Sequence, residues 1–71
     1  MLTDNTYEYD IMRRGIVEEG KQSQRYVFVR RRIGTDKWIR IQYTPSFEDM
    51  GAAKLHFAIF RQQNGIKAVG Q

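Results

Sequence analysis

The chain of 71 residues contains no cysteine, one histidine and one proline. Without cysteine it can form no disulfide and no Cys-based zinc site, and a lone histidine among scattered carboxylates makes no metal cluster. We therefore expect no metal and no other cofactor. No apolar run approaches the roughly 20 residues that span a bilayer, and Met1 to Asn5 are polar rather than signal-like. The sequence predicts a cytoplasmic protein without membrane contact.

The sequence also lacks the residue groups that support catalysis. His56 has no obvious acidic partner, and the adjacent pairs Glu18–Glu19 and Glu48–Asp49 would point to different faces of regular structure. The glycines are isolated and form no phosphate-binding loop. We predict that the protein is not an enzyme and takes no small-molecule substrate.

Charge is distributed unevenly along the chain, whose net charge is +4. The segment from Lys21 to Arg40 holds seven Lys or Arg residues and a single acid, Asp36, whereas the rest of the chain is net acidic. One end or face of the molecule must therefore be strongly cationic, which is typical of a protein with a polyanionic partner. Because aromatic residues alternate with these cations, the pattern favours nucleic acid over a merely solvated basic surface.

Alternation of apolar and polar residues predicts a small antiparallel sheet. The clearest strand is rich in β-branched and aromatic residues and forms a hairpin with the strand that follows it. The first predicted strand covers 7–11 and continues over 15–18 after a bend at 13–15. A polar turn at 20–23, a strand over 24–33, a chain reversal at 34–36 and a strand over 37–43 follow it.

Period two assigns the hairpin side chains to faces. Val27, Val29 and Ile33 share one side of the first strand, with Arg31 near its end, and the second strand carries an aliphatic side of its own. With the aliphatic residues turned inward, the outer face carries Tyr26, Phe28, Arg30, Arg32, Trp38 and Arg40; a bulge would exchange the faces. The full predicted nucleic-acid-binding site consists of Arg25, Tyr26, Phe28, Arg30, Arg32, Lys37, Trp38 and Arg40.

The last third of the chain predicts a helix. Ser46, followed by two acids, has the character of an N-cap, and Asn64–Gly65 that of a helix end. We predict helix over at least 57–63 and leave 47–56 open between helix and strand, because Gly51 costs about 1 kcal/mol relative to Ala inside a helix. Residues 66–69 are a short final strand or a tail. The fold class is therefore α+β, one domain over 1–71 in which an antiparallel sheet of three to four strands precedes a C-terminal helix.

Several of these stretches resemble one known family. Arg25 to Arg30, the hairpin and Lys37 to Ile41 look like the central strands of the Positive Cofactor Four type transcriptional-coactivator domains. Tyr43 to Gly51 is similar to the segment aromatic-Ser/Thr-Pro-x-x-Glu-x-Met-Gly of bacterial members, and Tyr9 to Met12 fits their first strand.

Domains of this family dimerise and bind single-stranded DNA on a curved sheet, with little sequence preference. The resemblance implies that the residues near the DNA are Arg25, Phe28, Arg30, Lys37, Trp38 and Arg40. After Gly51 the sequence departs from the family, since residues 52–63 stand where the family has a Lys/Gly-rich strand and a long helix. Single-stranded DNA is thus the favoured partner.

Two alternatives stay open. Three strands and a helix that contains Ala52–Ala53 are also similar to Apetala-type and integrase arm-binding domains, which lay their sheet in the major groove of duplex DNA. A small protein-binding module, such as a phage-type inhibitor or an assembly subunit, could instead dock an acidic partner on the same basic face.

The apolar side chains of the tail also predict a homodimer. Phe57 and Phe60 share one stripe of the helix, while Leu55 and Ile59 share a neighbouring stripe. A 71-residue subunit has difficulty covering both stripes, and an exposed apolar stripe marks an association site. We expect the two-fold contact to include part of the segment from Leu55 to Phe60.

Overall fold

A computed structural model describes residues 2–68 of the chain. In chain order, the elements are β1 (Leu2–Thr3), β2 (Tyr7–Glu18), β3 (Lys21–Arg32), β4 (Ile39–Arg40), α1 (Met50–Asn64) and β5 (Lys67–Ala68). The strands form one antiparallel sheet in the order β4-β3-β2-β1-β5. The predicted α+β class, an antiparallel sheet followed by a C-terminal helix, is confirmed. No helix among the described residues is long and apolar enough to cross a membrane.

The fold is built on the long hairpin of β2 and β3. The two strands pair over their full length, from Tyr7 opposite Arg32 to Glu18 opposite Lys21. Glu19 and Gly20 close the hairpin with φ values of 51° and 76°, the positive pair that a two-residue type I′ turn requires. The predicted turn at 20–23 is therefore wrong, because Glu19 supplies the first turn position and Lys21 already belongs to β3. The predicted bend at 13–15 is absent, since β2 runs through it.

The partner strand predicted over 37–43 is much shorter than expected. Only Ile39 and Arg40 pair with β3 as β4, followed by a bond from the Ile41 N–H to the Phe28 carbonyl. The chain then turns, because the hydroxyl and the N–H of Thr44 both donate to the Ile41 carbonyl, at 2.6 and 3.2 Å. This turn directs the chain toward the helix.

The helix begins seven residues before the segment that the sequence predicted. Asp49 is its N-cap and accepts hydrogen bonds from Gly51 N–H and Ala52 N–H at 3.2 and 3.0 Å. The predicted N-cap, Ser46, is wrong because its hydroxyl accepts a bond from Arg25 Nε at 2.7 Å instead. The predicted end is confirmed, as Gly65 caps the helix in the left-handed region at φ 66°. Beyond it Lys67 and Ala68 form β5, and Val69 lies outside the described residues.

The helix packs on one face of the sheet and buries an aromatic cluster there. The Phe28 ring lies at the centre, with ring centroids 4.9 Å from Phe57, 5.4 Å from Phe60 and 5.5 Å from Phe47. Directly opposed residues of paired strands share a face, so this face also carries Ile11. We call it the helix face; in β2 and β3 it comprises Tyr7, Tyr9, Ile11 and Arg13 with Tyr26, Phe28, Arg30 and Arg32.

The opposite face, which we call the valine face, is covered as well. It carries Val27 and Val29, both with no exposed surface. Trp38 contacts both long strands on this side, since its carbonyl accepts a bond from Arg14 Nη2 at 2.8 Å and its ring lies 4.7 Å from the Arg31 guanidinium carbon. The central segment of β3 is therefore buried on both faces.

This arrangement contradicts the predicted outer face. Tyr26, Phe28, Arg30 and Arg32 belong to the helix face, whereas the register that sets Arg40 opposite Val29 assigns Arg40 to the valine face. Trp38 contacts that same face, and Arg25 lies on it by alternation. The prediction was wrong because it assumed that only the valine side of β3 is buried. The aromatic residues of the helix instead pack on the Phe28 side, so that Phe28 lies at the centre of the core.

Candidate nucleic-acid interface

An open groove lies at the end of the sheet farthest from the Glu19–Gly20 turn. β2 begins, β3 ends and β4 begins there, and the groove has a volume of about 560 Å³. Five of its lining residues are Lys or Arg and none is Asp or Glu. We call it the basic groove; it is lined by Tyr7, Arg30, Arg31, Arg32, Thr35, Lys37, Ile39, Arg40, Ile41, Gln42 and Tyr43.

The strand pairing determines how the arginines are displayed. Arg30 and Arg32 are two residues apart in β3 and so share the helix face, just beyond the aromatic core. Arg32 lies directly opposite Tyr7, and the Arg30 guanidinium carbon lies 4.3 Å from the centroid of the Tyr7 ring. At this distance the ring attracts the cation through its quadrupole and holds Arg30 in place.

Tyr7 is itself fixed by the turn that precedes it. Asp4 Oδ1 accepts bonds from Thr6 N–H and Tyr7 N–H at 2.9 and 2.8 Å, and Asp4 Oδ2 accepts the Tyr9 hydroxyl at 2.7 Å. Burial opposes ionisation of Asp4, but these hydrogen bonds outweigh it and lower its pKa. Burial, together with the bond to Asp4, raises the pKa of Tyr9 to about 12. Asp4 therefore stays charged and Tyr9 neutral at physiological pH.

Tyr43 provides an exposed aromatic ring beside the groove. It follows β4 in the turn that Thr44 closes, and it is 72% exposed. It also lines a second, smaller pocket of about 300 Å³ with Pro45, His56 and Ile59 of the helix side. An accessible ring next to unpaired cations is the combination on which unpaired bases stack.

The ion pairs of the described residues leave four of the five groove cations without a carboxylate. Within residues 2–68 the ion pairs are Arg25–Glu48 at 3.3 Å and Arg31–Glu8 at 2.8 Å. Arg31 neutralises the buried Glu8 carboxylate, so it is committed to the structure. Arg30, Arg32, Lys37 and Arg40 therefore carry the net positive charge of the groove.

Four of the eight predicted site residues line the basic groove and four do not. Arg30, Arg32, Lys37 and Arg40 line it, although Arg40 is partly engaged by a bond of 3.4 Å to the Thr44 carbonyl. Arg25 binds Ser46 and Glu48, and Trp38 lies against Arg31. Tyr26 and Phe28 belong to the covered part of the sheet: Tyr26 is half-buried and exchanges backbone bonds with Phe47, and Phe28 is 2% exposed.

Tyr7 and Tyr43 line the groove, although neither is among the predicted site residues. A two-residue turn at Glu19–Gly20 would have fixed the hairpin register and placed Tyr7 beside Arg32. No comparable signal exists for Tyr43, because its position depends on the turn after β4. Among the described residues, no group of three or more His, Cys, Asp or Glu is placed to hold a metal ion.

Comparison with family models, with curated proteins and with solved structures finds no match. The resemblance to the Positive Cofactor Four type domains stays a prediction, and the chemistry of the basic groove is the basis for a functional proposal.

Proposed function

We propose that this protein is a non-catalytic nucleic-acid-binding protein that holds single-stranded DNA in the basic groove, with low sequence specificity. The observation that carries the proposal is a groove with five basic residues, no acid and an exposed tyrosine at its edge. Arg30, Arg32 and Lys37 would contact phosphates, and Tyr43 would stack on a base. This is the activity that the family resemblance implies, with Arg30 and Lys37 in common and with Arg32 and Tyr43 as additional contacts.

The distribution of acids favours a single strand over duplex DNA. A sheet that lies in the major groove presents one face to two rows of phosphates. The helix covers one face of this sheet, and the valine face carries Glu8, Asp10 and Glu18 among its arginines. These acids interrupt the positive charge that a duplex would need along the face, whereas the lining of the basic groove contains no acid and needs to contact only one strand.

Salt dependence of binding tests the electrostatic part of the proposal. Fluorescence anisotropy with a labelled oligo-dT should give a log–log slope of about −0.7 per phosphate neutralised. Arg32→Ala should flatten this slope by about 0.7, because it removes one phosphate contact. Arg13→Ala is the matched control, since Arg13 is also exposed on the helix face but lies midway along the hairpin, outside the groove lining. Equal effects of both variants would place the site outside the groove.

Substitution of Tyr43 tests the stacking contact. Tyr43→Ala should weaken oligo-dT binding by about 1–3 kcal/mol, whereas Tyr43→Phe keeps the ring and should bind like the wild type. Trp38→Phe should also bind normally, because Trp38 lies on the valine face. If the Trp38 variant loses binding and Tyr43→Ala does not, the stacking surface is the one first predicted from the sequence.

The nature of the partner is tested by competition. Duplex DNA and RNA of equal length should displace the labelled oligo-dT less well than unlabelled oligo-dT does. If no nucleic acid binds even at low salt, the groove serves an acidic protein surface instead, which is the second reading of the same charge pattern. The cytoplasm is the location we propose for this activity, because a nucleic-acid partner is present there.

A further inference from the structure

Among the residues that the structure describes, the outer edge of β2 has a partner strand over only a short part of its length. β1 pairs only with Glu8 and Tyr9, and within residues 2–68 no strand follows it along the edge from Asp10 to Glu18. An unpaired edge presents backbone N–H and C=O groups to another strand. This edge is nine residues long, contains no proline and no bulge, and pairs without interruption with β3 on its other side.

The hydrogen-bond pattern shows which residues present these groups outward. Tyr26 N–H donates to the Phe47 carbonyl, away from β2, so Tyr26 and its partner Arg13 form a non-hydrogen-bonded pair of the hairpin. Such pairs alternate along an antiparallel ladder. Ile11, Arg13, Gly15 and Val17 therefore direct their N–H and C=O groups to the open edge.

The charges along this edge match a second copy of the same edge. Two antiparallel copies are related by a two-fold axis, and the residue on the axis sets the register. With Arg14 on the axis, Arg14 meets itself and Asp10 meets Glu18, so like charges oppose each other. With Gly15 on the axis, Arg14 meets Ile16 and no charges are matched.

Only an axis at Ile16 satisfies the charges near the end of the hairpin. Arg14 then opposes Glu18 of the second copy, and Arg13 approaches its Glu19. Gly15 and Val17 face each other across the axis with outward backbone groups, and Ile16 meets its own copy. An axis at Met12 also opposes Asp10 and Arg14, but it spans only five residues before β1 intervenes.

We propose that two copies of this chain associate edge to edge through β2, with the two-fold axis at Ile16 and Arg14 paired with Glu18 of the second copy. Glu18, Val17 and Arg13 are exposed in the single chain, whereas Arg14 is half-buried and uses Nη2 to bind the Trp38 carbonyl, which leaves its other guanidinium nitrogens for Glu18 of the second copy. The β3 edge of the same hairpin is unsuited to this pairing, because a two-fold axis at Ser23 sets Lys21 against Arg25. The proposal is independent of the basic groove, which lies at the far end of the hairpin.

Charge reversal distinguishes this register from other contacts. Arg14→Glu and Glu18→Arg should each raise the dimer dissociation constant at least about tenfold, because both Arg14–Glu18 pairs of the dimer change from attractive to repulsive. The double variant R14E/E18R restores both pairs and should dimerise like the wild type in sedimentation equilibrium. If the double variant is as monomeric as the single ones while remaining folded by circular dichroism, the register is wrong.

A proline pair tests the backbone contact with a matched control. Val17 and Gln22 oppose each other in the hairpin, and each directs its N–H to a different outer edge. Val17→Pro should abolish the dimer, whereas Gln22→Pro alters the β3 edge and should leave it intact. Ile59→Asp should also leave it intact. The proposal would be overturned by a wild-type protein that is monomeric at high micromolar concentration. It would also be overturned if Ile59→Asp alone abolished the dimer, and that result would support the helix contact predicted from the sequence.

Discussion

Replacement of Phe28 by alanine tests the assignment of the two sheet faces. Phe28 is 2% exposed and contacts the rings of Phe47, Phe57 and Phe60. Truncation of such a buried aromatic side chain costs about 3–5 kcal/mol, through lost burial and the cavity that remains. A chain of 71 residues has a total free energy of unfolding of roughly 4–11 kcal/mol, at about 0.05–0.15 kcal/mol per residue. Phe28→Ala should therefore remove a large part of the stability.

Urea denaturation followed by far-ultraviolet circular dichroism measures this loss. Tyr43→Ala is the control, because Tyr43 is 72% exposed and its truncation should change the free energy of unfolding by no more than about 0.5 kcal/mol. Alternation in the sequence predicts Phe28 on an outer, DNA-facing surface. A Phe28→Ala protein with the wild-type urea midpoint and lost oligo-dT binding would support that first assignment and refute the packing described above.

Four further substitutions test the titration of Tyr9 and the two ends of the helix. Because the pKa of Tyr9 is raised, its contribution to stability is complete below pH 10 and is lost as the pH rises toward about 12. Because the pKa of Asp4 is lowered, its contribution to stability is lost as the pH falls below 3.8. Tyr9→Phe should abolish the alkaline loss in urea titrations, and an unchanged alkaline limb would contradict the assignment. Gly65→Ala should lower the free energy of unfolding by about 1 kcal/mol, because Gly65 has φ 66°. Gly51→Ala should raise the free energy of unfolding by up to about 1 kcal/mol, reduced by any strain where the new Cβ meets Asp49 Oδ2 at 3.3 Å. Thermal melts in which Gly65→Ala is more stable than Gly51→Ala would disprove the cap geometry. Asp49→Ala should cost about 1 kcal/mol in the same melts, and a neutral result would remove Asp49 as the N-cap.

Local chemistry in the sequence was sufficient to predict the fold class. Alternating residues identified the two long strands, and Asn64–Gly65 identified the helix end, because a positive φ after a helix favours glycine. The start of the helix was harder to predict. Ser46 and Asp49 are both good N-caps, and the choice between them was made by Arg25, a residue distant in sequence whose Nε binds the Ser46 hydroxyl.

The candidate site was predictable in composition but not in shape. The cluster of cations between Lys21 and Arg40 is visible in the sequence, and Arg30, Arg32, Lys37 and Arg40 do line the basic groove. Their grouping with Tyr7 and Tyr43 depends on the hairpin register and on the turn after β4. The register follows from the two-residue turn at Glu19–Gly20, which differs from the turn predicted at 20–23, and the turn after β4 is closed by the bonds from Thr44 to the Ile41 carbonyl, which no sequence pattern indicated.

The faces of β3 show most clearly what the sequence determines and what tertiary structure decides. Alternation determines that Phe28 and Arg30 lie on one side of the strand and Val27 and Val29 on the other. It cannot determine which side the helix covers, because both sides carry apolar residues that gain free energy on burial. Tertiary packing decides this: the rings of Phe57 and Phe60 meet Phe28, while Trp38 and Arg14 lie over the valine face. The cations left outside these contacts form the basic groove.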